Sequence, residues 1–138
     1  MSSSNNVNET VITEFRANSG KVSGDFAGMP LLLLTTIGAR SGQARTLPLA
    51  YTTDEDRLVI VASKAGAPTN PDWYYNLLAH PVVTVEVGCE RFQARARVTA
   101  EPDRERLFAK MVKQLPGFAE YQRNTSRKIP VFTLERIG

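Results

Sequence analysis

The feature that most constrains the fold is a series of short strand-like segments separated by tight turns. Residues 31–37 form an apolar run, which predicts a strand buried on both faces. Residues 45–53 predict a second strand, kinked or at a sheet edge at Pro48, and residues 58–63 predict a third. This order favours an antiparallel sheet curled into a barrel over alternating βαβ units.

The second half of the chain inserts helices between strand pairs. Asn70 followed by Pro71 is typical of a helix start, and residues 71–79 are predicted to be helical. Residues 82–87 and 90–99 predict a hairpin. A helix from Pro102, a short helical turn over 118–123 and a last strand over 131–134 follow. The predicted fold class is therefore α+β, mainly β, with an antiparallel sheet and a few peripheral helices.

The N-terminal part of the chain is predicted to lie outside the barrel. Residues 1–6 are polar and are predicted to be disordered. Residues 7–29 are predicted to form a helix, capped by Asn8, and a loop, and residues 30–138 are predicted to form the barrel domain. Val11, Ile12 and Phe15 would give this helix an apolar side. That side either covers the barrel or a groove on it, or lies on a membrane.

The composition of the 138-residue chain narrows the classes of function. The length suits one domain. The sequence has one cysteine, Cys89, and one histidine, His80. A single cysteine excludes an internal disulfide, and together the two counts nearly exclude a zinc site and a catalytic triad. The net charge of +3 is small for a nucleic-acid binder but suits a small anionic ligand. We expect a cytoplasmic protein, with peripheral contact at the inner face of the cell membrane as an alternative.

A glycine turn over residues 38–45 is the first candidate binding segment. Its backbone N–H groups and the flanking Arg40 and Arg45 could hold a phosphate. Taken alone, the segment is better explained as a plain hairpin with solvated arginines. The spacing of the glycines is not that of a P-loop.

Two further segments carry candidate residues. Ser63 to Gly66 ends a predicted buried strand, where small residues would let a flat ring approach the backbone. Residues 70–77 form an aromatic-rich helix start, whose free N–H groups favour an anion. For the first segment the alternative is an ordinary passage from a strand into a loop. For the second it is packing of the aromatic side chains in the core.

Together these segments resemble one known family. The order is an apolar strand, Gly-x-Arg-Ser-Gly-x-x-Arg-x-x-Pro-Leu, a strand ending Ala-Ser-Lys-x-Gly, and Asn-Pro-x-Trp-Tyr-x-Asn-Leu. This order is similar to that of the deazaflavin-dependent nitroreductase family. Within that family it most resembles the branch of the F420H2-dependent quinone reductases. The resemblance runs from about Pro30 to the C-terminus and implies a split β-barrel of the FMN-binding type.

The resemblance also implies a cofactor and its site. Reduced coenzyme F420, a deazaflavin, would donate a hydride to a quinone-like or nitroaromatic acceptor. FMN is a less favoured cofactor, and a non-catalytic F420-binding or membrane-associated module is a further alternative. The basic turn would hold the phosphate and glutamyl tail, the next strand would line the groove, and two later segments would face the ring. The implied cofactor residues are Ala39, Arg40, Ser41, Arg45, Thr46, Leu47, Pro48, Leu49, Ala50, Val61, Ala62, Ser63, Lys64, Asp72, Trp73, Tyr74, Tyr75 and Asn76.

The acceptor pocket is predicted from the last helical segment. Relatives active on bulky nitro compounds carry several tyrosines there, whereas this chain offers Leu115, Phe118 and Tyr121. The pocket should therefore be more apolar, which suits quinones better than nitroimidazoles. The hydroxyls of Ser63 and Tyr121 are predicted to act in catalysis by stabilising negative charge on the acceptor. The sequence leaves the oligomeric state open.

Overall fold

Seven strands and four α-helices make up the part of the chain that the computed structural model describes, residues 3–24 and 27–137, with 3–7 as backbone only. In chain order the elements are α1 (Ser3–Ala17), β1 (Leu31–Ile37), β2 (Ala44–Ala50), β3 (Thr52–Asp54), β4 (Arg57–Val61), a short 3-10 helix (Lys64–Gly66), α2 (Asp72–Ala79), β5 (Val82–Val87), β6 (Glu90–Val98), α3 (Asp103–Gln114), α4 (Gly117–Arg123) and β7 (Val131–Arg136).

The strands form one antiparallel sheet in the order β2-β1-β5-β6-β7-β4-β3. The two outer strands, β2 and β3, are consecutive in the chain and are separated only by Tyr51. Because two Cα–Cα steps span about 7 Å at most, the opposite edges of the sheet must approach each other at this residue. The sheet is therefore curled into a half-barrel, as the sequence predicted.

The predicted second strand, residues 45–53, is in fact two strands. The chain leaves β2 after Ala50, and the N–H of Tyr51 donates to the carbonyl oxygen of Pro30 at 3.2 Å instead of continuing a ladder. β3 then pairs with β4 at the other edge. Sequence periodicity continues across Tyr51, so it could not reveal the change of partner. Pro48 does lie in an edge strand, opposite Leu33.

Three apolar clusters hold the elements together. The barrel interior contains Leu32, Leu34, Ile60, Ala62, Trp73, Leu77, Val83, Val85, Ala94, Ala96, Phe132 and Leu134. On the outer face, α3 packs Leu107 and Met111 against β4 and β7. α1 packs Val11 and Phe15 against Leu31 and Leu33 of β1. β1 is consequently buried on both faces, as its apolar run predicted.

The N-terminal helix differs from its prediction in two respects. α1 begins at Ser3, so residues 3–6 are helical although their composition predicted disorder; residues 1 and 2 lie outside the described part of the chain. Ser and Asn cost only a few tenths of a kcal/mol each in a helix, which a helix anchored by tertiary packing tolerates. Val11 and Phe15 are buried against β1, which favours the barrel-covering interpretation over membrane contact.

Among the described residues, none of the helices is both long enough and apolar enough to span a membrane.

Candidate functional site

A groove of about 940 Å³ lies between the β1–β2 turn, the first half of β2 and the start of α2. It is lined by Asn8, Thr36, Gly38, Ala39, Arg40, Ser41, Arg45, Thr46, Leu47, Asp72, Trp73, Tyr75 and Asn76. Ten of these residues belong to the predicted cofactor set. The structure thus brings the basic turn and the aromatic helix start, about 30 residues apart in the chain, to one surface.

The β1–β2 turn keeps its shape through its own backbone. The N–H of Gly38 donates to the carbonyl oxygen of Gln43 at 2.8 Å, and the N–H of Gly42 donates to that of Gly38 at 2.9 Å. Gly42 has a φ of +70°, which a residue with a Cβ rarely adopts. Within residues 3–24 and 27–137, the N–H groups of Arg40 and Ser41 have no protein acceptor. They are therefore free to bind a ligand.

Asn76 fixes the turn relative to α2. Its Oδ1 accepts a hydrogen bond from the N–H of Ala39 at 2.9 Å, and its Nδ2 donates to Oγ1 of Thr36 at 3.1 Å. Thr36 is completely buried. Asn76 was predicted to face the cofactor ring; in this structure its side-chain amide holds two walls of the groove together.

The aromatic residues of α2 divide between the core and the groove. Trp73 is buried, with its ring centroid 5.9 Å from that of Phe132, and it is also among the residues that line the groove. Tyr74 packs edge-on against Phe132 at 5.7 Å and does not line the groove. Tyr75 is half exposed and does line it. Core packing therefore applies to Trp73 and Tyr74, and Tyr75 lies at the groove; its contact with a ligand stays a prediction.

The charges around the groove favour an anion. Arg40 and Arg45 are both exposed, and neither forms an ion pair with any carboxylate of the described residues. Asp72 is the acidic residue in the lining. Two cations without partners beside two free N–H groups form a donor set suited to a phosphate or a carboxylate.

Several predicted cofactor residues lie outside the lining. They are Pro48, Leu49, Ala50, Val61, Ala62, Ser63, Lys64 and Tyr74. Leu49 packs towards the barrel interior, where Ala62 also lies, and Val61 faces the cluster beneath α3. The contact of these residues with the cofactor stays a prediction.

The residues predicted for the acceptor pocket are also not in the lining of the groove. Leu115, Phe118 and Tyr121 pack against the cluster of Val59, Val61 and α3, and the rings of Phe118 and Tyr121 are 5.2 Å apart. α4 does lie against the loop that follows β4. A Cβ on Gly66 would stand 2.8 Å from the carbonyl oxygen of Tyr121.

Sequence reasoning missed three residues at or near the groove. Thr36 lines it from the end of β1 and Asn8 lines it from α1, whereas Gly38, also in the lining, belongs to the predicted binding turn. Asn8 had been considered only as a helix cap. Arg127, in the segment before β7, binds the loop after β4 through four hydrogen bonds. Its sequence context is polar and irregular, so nothing marked it as different from an exposed arginine.

The fold defines a split-barrel protein, and its groove carries hydrogen-bond donors and positive charge suited to an anion. Residues 8–136 match the family model described as F420H2-dependent quinone reductase. An F420H2-dependent quinone reductase of Mycobacterium tuberculosis is 40% identical over 126 residues, covering 88% of this chain and 85% of the relative.

Solved structures agree with this match. One described as an F420-H2 dependent reductase (FDR-A) is 40% identical, has a TM-score of 0.71, and is matched over 94% of its length and 77% of this chain. Another, described as a domain-swapped dimer, is 36% identical with a TM-score of 0.73, over 97% of this chain and all of the other. The heme storage protein HutZ from Vibrio cholerae, at 16% identity and a TM-score of 0.60, shares the fold alone.

The chain belongs to the F420H2-dependent quinone reductase family. It is an oxidoreductase, and its cofactor is coenzyme F420.

Proposed function

We propose that the groove binds reduced F420 and that the protein transfers a hydride from it to a quinone-like acceptor. The observation that carries the placement of the cofactor is the pair Arg40 and Arg45, both without a carboxylate partner in the described residues, beside two N–H groups that have no protein acceptor. The phosphate and glutamyl tail of F420 needs this combination of charge and directed donors.

The protein's own contribution is to bind and to orient. The reduced deazaflavin supplies the hydride when it is bound. Arg40, Arg45 and the free N–H groups of the turn hold the anionic tail, and their charge raises the rate of encounter at low salt. Trp73 and Tyr75 form an apolar wall at the other end of the groove, which excludes water and restricts the position of the ring.

The acceptor side of the ring is assigned to the loop after β4 and to α4. Hydroxyls of Ser63 and Tyr121 would donate hydrogen bonds to the acceptor oxygen as it gains negative charge, and the final proton would come from solvent. Leu115 and Phe118 would form the apolar wall. The contact between Gly66 and the backbone of Tyr121 supports this proposal, because it brings α4 against that loop. With a single tyrosine in this segment, we expect quinones to be better acceptors than nitroaromatics.

A titration of the cofactor-free protein with F420, FMN and FAD tests the cofactor assignment. We expect F420 to bind most tightly, with an affinity that falls as salt is added. Equal binding of FMN at low salt would support the FMN-dependent alternative instead. Addition of menadione to the protein with F420H2 should restore the absorbance of oxidised F420; failure to do so while F420 binds would indicate a non-catalytic binding module.

We also expect the protein to work in the cytoplasm, because its one cysteine gives it no internal disulfide. Peripheral membrane contact has less support, since Val11 and Phe15 are buried against β1.

A further inference from the structure

The guanidinium of Arg127 makes an unusual set of contacts. Its Nη1 donates to the carbonyl oxygen of Ala62 at 3.1 Å and to Oδ1 of Asn70 at 2.8 Å, Nη2 donates to the carbonyl oxygen of Ser63 at 2.7 Å, and Nε donates to that of Ala67 at 2.9 Å. One side chain thus binds both ends of the loop between β4 and α2. Asn70, predicted to cap α2, accepts a hydrogen bond from Arg127 instead, and Pro71 occupies the N-cap position without a side-chain capping bond.

This loop has a backbone that local preferences do not favour. Lys64 and Ala65 have φ values of +46° and +53°, in the left-handed region, although both carry a Cβ. Each such residue costs of order 1 kcal/mol and persists only where surrounding contacts enforce it. The contacts of Arg127 on either side of these two residues provide that enforcement.

The direction of the peptide groups follows from the contacts. In a trans peptide the C=O and the N–H point in opposite directions. Because the carbonyl oxygens of Ala62 and Ser63 face Arg127, the N–H groups of Ser63 and Lys64 point away from it. Neither N–H has a protein acceptor within residues 3–24 and 27–137. Two adjacent donors are thereby held in a fixed orientation without a partner.

The positive charge of Arg127 also favours ligand binding by these two N–H groups. In the described residues its hydrogen bonds go to neutral oxygens, and it forms no ion pair. Burial lowers the pKa of Arg127. The guanidinium is a cation hydrogen-bonded directly to the backbone of the loop.

We propose that Arg127 is a positioning residue for the cofactor ring. It holds the peptide planes at Ser63 and Lys64 so that their N–H groups bind a carbonyl or anionic nitrogen of the deazaflavin ring, and its own charge strengthens both donors. This inference rests on the proposed function, because the ring must extend beyond the residues that line the groove to lie against this loop. It concerns a residue that itself touches neither the cofactor nor the acceptor.

The test compares Arg127→Met and Arg127→Lys with Arg123→Met, which removes an exposed cation from the neighbouring α4. The first measurement uses cofactor-free protein and records the amide resonances of Ser63 and Lys64, with Arg40 and Ser41 as internal references. We expect the loop amides to shift in Arg127→Met, to shift less in Arg127→Lys, and to stay unchanged in Arg123→Met, while the two reference amides stay in place in all three variants.

The second measurement is the affinity for F420 and the visible absorption maximum of the bound cofactor. Loss of one net hydrogen bond should weaken binding about tenfold in Arg127→Met and shift the maximum. If Arg127→Met does not fold, Arg127→Lys, which keeps the charge but not the fork, should still bind F420 about threefold more weakly.

Unchanged F420 affinity and an unchanged absorption maximum in the folded Arg127 variants would overturn the proposal, even if the loop amides move, because Arg127 would then support only the fold. Failure of the wild-type protein to bind F420 is a different outcome, which would overturn the proposed function. If Arg123→Met weakened F420 binding as much as Arg127→Met does, the proposal would also be contradicted. The effect would then come from the loss of any nearby positive charge.

Discussion

Asn76 and Arg127 are both polar side chains that hold separate segments of the fold together; the family resemblance pointed to Asn76, whereas nothing in the sequence pointed to Arg127. Asn76 joins α2 to the end of β1, and Arg127 joins the two ends of the loop after β4. Asn76 accepts a hydrogen bond from the backbone N–H of Ala39, and Arg127 donates to three backbone carbonyl oxygens. At the scale of single residues, the groove therefore depends on hydrogen bonds between segments that are distant in sequence.

Arg40→Ala should weaken F420 binding by about 1.5 kcal/mol, roughly tenfold in Kd, because one charge-assisted hydrogen bond to the tail is lost. Arg45→Ala should have a similar effect, and both effects should shrink with added salt. Isothermal titration measures them, with Arg91→Ala, an exposed arginine of β6, as the control. A double variant that binds F420 like the wild type would refute the tail site.

Tyr121→Phe should lower kcat for menadione and leave the affinity for F420 unchanged, because the hydroxyl would bond only the developing negative charge. The loss reaches about 3 kcal/mol where water cannot replace the donor. Steady-state kinetics and F420 titration measure the two effects. If turnover is unchanged and Tyr121→Ala lowers only the Tm, the ring serves packing against Phe118 alone.

At the scale of elements, Asp54 joins α3 to the β3–β4 hairpin. Its carboxylate accepts hydrogen bonds from Arg57, Arg106 and Lys110 at 2.7 to 3.2 Å. Hydrogen bonding to these cations, to Arg106 first, lowers the pKa of Asp54 well below its ordinary value of 3.8. The side chain of Asp54 is 9% exposed, but its partners are 33% to 49% exposed, so each pair is worth less than about 1 kcal/mol.

Asp54→Asn should lower the Tm by about 5 °C at neutral pH. Because the folded state favours the ionised carboxyl, its contribution is fully present above pH 3.8 and is lost as the pH falls below that value towards the lowered pKa. The Tm difference from the wild type should therefore diminish in acid. Thermal unfolding across pH measures this, with the exposed Asp56→Asn as control; a difference that stays constant into acid would contradict the prediction.

At the scale of the whole molecule, closure of the sheet brings the core and the groove into contact. Phe132 of β7 lies in the barrel interior, 1% exposed, and its ring contacts those of Trp73 and Tyr74 of α2. The same helix presents Tyr75 and Asn76 to the groove. The position of α2, and with it one wall of the site, depends on how well the barrel interior is filled.

Phe132→Ala should lower the free energy of unfolding by about 4 kcal/mol, through lost burial and the cavity that remains. It should also weaken F420 binding, since α2 loses its support. Urea unfolding and F420 titration measure both effects. Phe92→Ala, which removes a half-buried ring from β6, is the matched control and should cost less in stability and nothing in F420 affinity. If the folded Phe132→Ala variant bound F420 with wild-type affinity, the site would not depend on packing in the barrel interior, and the prediction would be wrong.

Local patterns in the sequence were sufficient for most elements. The apolar run over residues 31–37, the alternation in β6 and the helical spacing of Leu107 and Met111 each reflect which face of an element is buried, and burial imposes a period that can be read directly. The basic turn and the aromatic helix start were likewise visible, because their chemistry is carried by neighbouring residues. The family resemblance joined these segments into one cofactor site.

Only the tertiary structure decided the remaining features. The break at Tyr51, the pairing of β4 with β7, the role of Asn8 in the groove and the contacts of Arg127 all involve partners far along the chain. Such contacts depend on how the sheet closes, and closure leaves no period in the sequence. The sequence by itself determined the elements and the chemistry of this protein, whereas the curling of the sheet determined which side chains of those elements share the groove.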